Sequence, residues 1–426
     1  MTAQHRLTVR NVRPWGGPAV DIDLAGGVVA GVRPADPATT AAPGSLDGDG
    51  RLALPGLVNA HAHLDKTWWG RDWIPNIDSG GREGRIAHER AVRDGLGIPD
   101  VRCATALLRQ FLVHGTTAVR SHVDVDPGVG LRGLEVVQQA AAALEGAVRV
   151  ETVAFAQDGL LRRPGTVQLL EQAVRAGAAC VGGLDPAAVD GDPVGMLDAL
   201  FDLAERTGAG IDVHLHGGDE LALFEYGVII DRTVRTGLQG RVTVSHGVAL
   251  GAIGGARQER LLDQLREAGI GWSTAVPNGT PPLPWRAMRA KGIPLGVGTD
   301  GVRDLWSPFG DGDMLRMAQD FAKWNWLRTD ADLTAAVELA VAGGTAFGGT
   351  DRLVIEPGAP ADLVLLEAQN VPDALTRLPH RRTVIAGGRV VVVDGVPTDS
   401  PAASPAFGAQ AEKGSQGIDL AIDAVT

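Results

Sequence analysis

The sequence predicts an α/β fold: a (β/α)8 barrel joined to a small β-sandwich domain formed from both chain termini. Three observations predict it. Eight short β-branched runs alternate with Ala/Leu/Arg stretches of helical period between residues 55 and 349. Strand-like runs broken by Gly and Pro fill residues 1–54 and return at 350–398. Histidines and one aspartate recur at the ends of the barrel runs, where a parallel barrel carries its chemistry.

The N-terminal runs are Leu7–Val12, Val20–Leu24 and Val28–Val32. The eight barrel runs lie near Leu57–His63, Thr116–His122, Val148–Phe155, Ala179–Gly182, Gly210–His216, Arg241–His246, Ile270–Thr274 and Pro294–Thr299. Helical stretches such as Leu131–Leu144, Met196–Arg206 and Glu259–Ala268 separate them. The returning strands are Arg352–Ile355, Ala361–Leu366, Thr383–Ile385 and Arg389–Val393. Residues 399–426 mix Pro, Ala, Ser, Gly and Gln and read as a disordered tail.

Composition excludes several classes. Apolar residues make up 44% and charged residues 21%, so the chain is not disordered throughout. No uncharged apolar run approaches the ~18 residues of a membrane span, and the start has no signal-peptide core. A net charge of −12 argues against a nucleic-acid partner. Two cysteines, Cys103 and Cys180, exclude a disulfide framework and fit a reducing cytoplasm.

His61-Ala62-His63 closes the first barrel strand, and residues two apart in a strand face one way. His214 ends the fifth strand, His246 the sixth and Asp300 the eighth. Any one of these alone reads as a satisfied buried side chain. Gathered at one barrel mouth, they read as a divalent metal site, zinc or iron(II), with a position open to water. His122 ends the second strand and is a substrate-contact candidate. His216 shares the face of His214 and reads as a proton shuttle or as a buried support. Trp68, Trp69 and Trp73 follow His63, and Trp306 follows Asp300. Each reads either as an aromatic wall against a flat ring or as packing. Two GxGxxG matches, at Gly128–Gly133 and Gly296–Gly301, lack the dinucleotide-binding context and carry no weight among 58 glycines.

Pro55-Gly-Leu-Val-Asn-Ala-His61-Ala-His63 resembles the signature of the amidohydrolase superfamily. The added Leu64-Asp65-Lys66-Thr67 resembles its cytosine deaminase-like branch, which includes triazine-ring hydrolases. Further matches are His114-Gly-Thr-Thr, Ala154-Phe-Ala-Gln157, Ile211-Asp-Val-His214, Thr243-Val-Ser-His246, Thr299-Asp300-Gly and Pro357-Gly-Ala-Pro-Ala-Asp362. The resemblance runs from about residue 5 to 395. It implies that His61, His63, His214 and Asp300 bind one divalent metal. Asp300 would also take the water's proton, and His246 would orient the activated water or the developing oxyanion. Gln157 would hydrogen-bond the amide edge of a ring substrate. Members with two metals bridge them by a carbamylated lysine on the fourth strand. All four lysines here, Lys66, Lys291, Lys323 and Lys413, lie elsewhere, so a single metal is expected.

Two departures from the branch stand out. Its proton-shuttling glutamate corresponds to Gly217, and its second eighth-strand aspartate to Gly301. Departure of an amine needs a general acid. Asp219 is the candidate, reached through the flexible Gly217-Gly218 pair, while Glu220 reads as the start of the next helix. The expected function is hydrolysis of a C–N bond in a small nitrogen-rich heterocycle or cyclic amide, foremost deamination. The two glycines keep open a ring-opening or amide hydrolase, and a non-catalytic barrel that binds a small ligand. The expected partner is a small molecule, and the resemblance also implies a homo-oligomer.

Overall fold

The structure is a computed structural model. It describes residues 6–36, 44–77, 80–277 and 279–398, apart from the side chains of Asp219, Gly348 and Thr350. The expected disordered tail lies outside the described residues.

Four strands open the chain: β1 (Arg6–Pro14), β2 (Val20–Ala25), β3 (Val28–Pro34) and β4 (Ser45–Pro55). Eight parallel strands follow: β5 (Leu57–Ala62), β6 (Thr116–Asp124), β7 (Arg149–Ala156), β8 (Cys180–Gly183), β9 (Gly210–Leu215), β10 (Val242–His246), β11 (Gly271–Thr274) and β12 (Leu295–Val297). They pair in sequence order, and β12 returns beside β5 through the bridge between Asp300 and Ala62. This is the (β/α)8 barrel that the eight runs predict. Four strands complete the first sheet: β13 (Leu363–Leu366), β14 (Arg381–Ala386), β15 (Arg389–Val393) and β16 (Val396–Pro397). Its order is β16-β15-β14-β13-β4-β1-β2-β3, so strands from both ends of the chain share one sheet.

The helices are α1 (Gly81–Val92), α2 (Val101–Val113), α3 (Arg132–Ala142), α4 (Thr166–Arg175), α5 (Pro193–Thr207), α6 (Asp219–Thr236), α7 (Gly255–Glu267), α8 (Trp285–Ala290), α9 (Met314–Trp324), α10 (Asp330–Ala342) and α11 (Val371–Arg377). The helix α2 shows why they pack. Asp100 caps it by accepting from Arg102 N, and Ala104, Leu107, Leu108 and Phe111 form one buried stripe. In β4 and β13 the alternation of period two splits between two cores. Leu52, Leu54, Val364 and Leu366 join the barrel core, while Ala53, Leu363 and Leu365 join the core of the terminal sheet.

Two local readings are corrected. The strand expected at Arg352–Ile355 does not form: Arg352 and Leu353 close a 3₁₀ segment, Ala346–Leu353. Arg352 is buried there and turned toward Asp362, 3.6 Å away. The strand β4 was not among the expected runs. A bulge accommodates it: the register shifts between Arg10 and Val12, Gly50 is left-handed, and a side chain on Gly48 would collide with Val12. Among the described residues no helix is long and apolar enough to cross a membrane.

Candidate active site

The seam between β5 and β12 builds the site. Asn59 receives Thr299 N at 3.1 Å and donates to Thr299 Oγ1 at 2.9 Å. Asp300 N donates to His61 O at 2.9 Å. This stitching sets Asp300 over the two histidines of the first strand. Its Oδ1 lies 3.8 Å from His61 Nε2 and 3.3 Å from His63 Nε2, and its Oδ2 lies 3.9 Å from His246 Nε2. Asp300 and His246 both adopt left-handed backbone, φ 58° and 65°. Such conformations cost of order 1–3 kcal/mol in non-glycine residues and persist where surrounding structure enforces them.

The imidazoles of His61, His63, His122 and His214 crowd so closely that one ring nitrogen of each lies within 4.8 Å of the others. His61, His246 and Asp300 form a second such group. His61 Nε2, His63 Nδ1 and both nitrogens of His214 are buried without a hydrogen-bond partner. Unpaired buried nitrogens are costly, and a cation among them would take up one nitrogen of each imidazole. Burial, then the neighbouring imidazoles, hold His61 and His214 well below the usual histidine range. Both are therefore neutral near pH 7, the form that ligates. Burial alone would raise Asp300. The hydrogen bond to His63 and the charges of His246 and His61 hold it well below the carboxylate range instead. The donor set thus fits one divalent metal, zinc or iron(II).

A cavity of about 400 Å³ opens above these side chains. Phe155 and Trp306 stand in its wall. Lys66 also lines it and is held by Gln157 Oε1, by Asp124 at 3.0 Å and by Glu89 at 3.5 Å. Glu89, from α1, accepts Gln157 Nε2 and Trp306 Nε1, each at 2.6 Å. Asp65 accepts Asp124 N at 2.8 Å. Burial pushes Asp124 up despite Lys66, while Lys66 itself, ringed by three carboxylates, stays charged.

The remaining expectations divide. Gln157, Trp306 and His216 line the cavity. The Gln157 amide is already paired at both ends, its Oε1 with Lys66 and its Nε2 with Glu89. His216 Nδ1 lies 3.2 Å from Asp185, which also binds Arg82 of α1 at 2.7 Å. Trp68 does not reach the cavity, contrary to its reading as a substrate wall. It is fully buried, because Thr67 Oγ1 and Trp68 N bond Val302 O and Arg303 O and fold this loop inward. His122 likewise makes no part of the cavity wall. It is buried in the barrel interior, 3.2 Å from Asp212. The side chain of Asp219 lies outside the described residues. Glu220 stands in the exposed first turn of α6, paired with Arg257 at 2.5–2.7 Å. Sequence reasoning missed Phe155 and Asp304 in the cavity wall, and Glu89 behind it, where it holds Gln157 and Trp306. Phe155, at the end of the third barrel run, and Asp304, four residues past the strand-end Asp300, each carried a positional signal.

A parallel barrel with clustered imidazoles and a carboxylate at its strand ends defines the metal-site hydrolase class of barrel. The model of the amidohydrolase family matches residues 101–397, and the chain belongs to this family of C–N hydrolases. It is 29% identical over 360 residues to the N-isopropylammelide isopropyl amidohydrolase of Pseudomonas sp. strain ADP, covering 82% of this chain and 88% of that one. The crystal structure of N-isopropylammelide isopropylaminohydrolase from Burkholderia multivorans superposes with a TM-score of 0.86 at 41% identity, covering 92% of this chain and 99% of that one. That of 5-methylcytosine deaminase from Klebsiella pneumoniae, bound to 5-fluorocytosine, superposes with a TM-score of 0.78 at 26% identity, covering 91% and 97%.

Proposed function

We propose that this chain hydrolyses the exocyclic C–N bond of a small nitrogen-rich ring and releases an amine, using one divalent metal, zinc or iron(II). The observation that carries the reading is the set of unpartnered buried nitrogens of His61, His63 and His214 beside Asp300, at the floor of a ring-sized cavity. His61, His63, His214 and Asp300 would hold the metal, which when bound lowers the pKa of water toward ~7 and polarises the carbon under attack.

The chain's own groups do the rest. Phe155 and Trp306 flank a flat ring in the cavity. Asp300, already hydrogen-bonded to His63, takes the proton of the attacking water. The water oxygen bonds the ring carbon and the C–N bond breaks. The departing nitrogen leaves with the proton that Asp300 removed. His246 is kept neutral, pushed down to about 3 by burial and by His216 beside it. Its Nε2 orients the water or donates to the developing oxyanion. The two cysteines, both free and buried, suit a cytoplasmic enzyme. N-isopropylammelide, pterins and cytosines are the first compounds to test, with amine or ammonia release as the readout. Release of amine with the ring intact supports the reading. Ring opening without amine release would replace it with a cyclic-amide hydrolase.

A further inference from the structure

We propose that Asp304 and Lys66 together read a ring –NH–C(=O)– edge, Asp304 Oδ2 accepting the ring N–H and Lys66 Nζ donating to the adjacent carbonyl. This rests on the reading of the site as a ring hydrolase and names the edge of the ring it selects.

The starting point is Gly301, beside Asp300. A Cβ built on Gly301 would overlap the carboxylate of Asp304, so that carboxylate fills the place a side chain at 301 would take. Asp304 is fully buried and belongs to the cavity wall. Its two oxygens are unequal. Oδ1 accepts Trp306 N at 2.8 Å and Ser307 N at 2.7 Å, and Asp304 N donates to Ser307 O at 3.0 Å, which locks the turn. Oδ2 is buried with no partner. A buried carboxylate oxygen without a donor is costly and calls for one.

The same cavity offers the complementary group. Lys66 is charged and its Nζ lies 5.6 Å from the centre of the Trp306 ring; two of its three N–H groups go to Gln157 Oε1 and to Asp124, and the third, with Glu89 no nearer than 3.5 Å, is the one a ligand carbonyl would take. An acceptor and a donor in one wall, beside an aromatic face, match the alternation of N–H and C=O along a lactam edge. An N-methylated edge, with no N–H to donate, would leave Oδ2 unsatisfied. Burial pushes the Asp304 carboxyl up to about 6, so it is mostly ionised and an acceptor near pH 7.

The turn makes the substitution test directional. In Asp304→Asn the amide oxygen must stay where Trp306 N and Ser307 N donate, which puts an NH2 group where Oδ2 stood. An acceptor becomes a donor while the turn is kept. Gly301→Ala is a second variant. It leaves Asp304 in place chemically but forces its carboxylate to move.

The experiment measures amine release from N-isopropylammelide and from its ring-N-methylated analogue by zinc-loaded wild type, Asp304→Asn and Gly301→Ala. Binding of both compounds is measured by calorimetry on the same proteins. The expected result is a loss of about 100-fold in kcat/KM for the N–H ring in both variants, carried mainly by KM, with metal content unchanged. The N-methylated ring, poor for wild type, should lose less than threefold. A loss under threefold on the N–H ring, or an equal loss on both rings, overturns the proposal. If wild type binds the ring without turnover, the hydrolase reading fails and the binding ratios decide Asp304 by the same thresholds. If wild type neither binds nor turns over the N–H ring, the assigned edge recognition is wrong.

Discussion

His61 Nδ1 lies 3.1 Å from Ser245 Oγ, and in this pair Ser245 accepts. Its single proton is already given to Asp212 Oδ1, a carboxylate kept ionised against its burial by His122 and Arg120 beside it. Ser273, 3.3 Å from the same His61 nitrogen, then donates to Ser245 across 2.8 Å and likewise accepts from the imidazole. The proton of His61 is therefore on Nδ1, and the lone pair of Nε2 faces Asp300. A buried chain of Asp212, Ser245 and Ser273 sets the tautomer that ligation needs.

From this chain follows the first prediction. Ser245→Ala removes the acceptor that holds Nδ1–H and should weaken metal affinity by about 10–100-fold, with the fold intact. Competition against a chromogenic chelator measures it. Unchanged affinity would show that the serine does not orient His61.

Lys66 is 4% exposed and faces Asp124, Glu89 and Asp65. Removing the cation leaves buried carboxylates uncompensated. Lys66→Met should destabilise the protein by about 3–5 kcal/mol, read as a lower denaturant midpoint. A shift of less than about 1 kcal/mol would mean the carboxylates protonate at little cost, which the pairing in the wall argues against.

Glu225, on α6, is 2% exposed, and its Oε1 receives Ala187 N at 3.4 Å. Burial, with the charge of Asp185, pushes it up to about 7. The folded state then binds a proton that the unfolded chain, with a glutamate pKa near ~4.3, has released. The contribution to stability is present at low pH and is lost as pH rises through about 7. Glu225→Gln does not titrate. Its Tm should match wild type at pH 5 and exceed it by about 2 °C at pH 8. A difference that does not change with pH would contradict the assigned shift.

Much of this was legible in the sequence because a parallel barrel turns linear order into position. His61, His63, His214, His246 and Asp300 each close a strand run, so the topology alone gathers them at one mouth. What was hidden depends on contacts far apart in the chain. Glu89 had no place in the sequence pattern, yet α1 turns it onto Gln157 and Trp306. Gly301 reads as a lost carboxylate, whereas the turn at Asp304–Ser307 brings another into its place. Trp68 was ambiguous because loop aromatics pack or bind alike, and only the bonds to Val302 and Arg303 decide it.

The most direct test of the metal assignment is the metal content of purified protein by elemental mass spectrometry, beside His61→Ala and Asp300→Asn. The site as built here predicts about one zinc or iron per chain in wild type and its loss in His61→Ala, with hydrolysis abolished in Asp300→Asn. No bound metal after reconstitution, or two metals per chain, would contradict it.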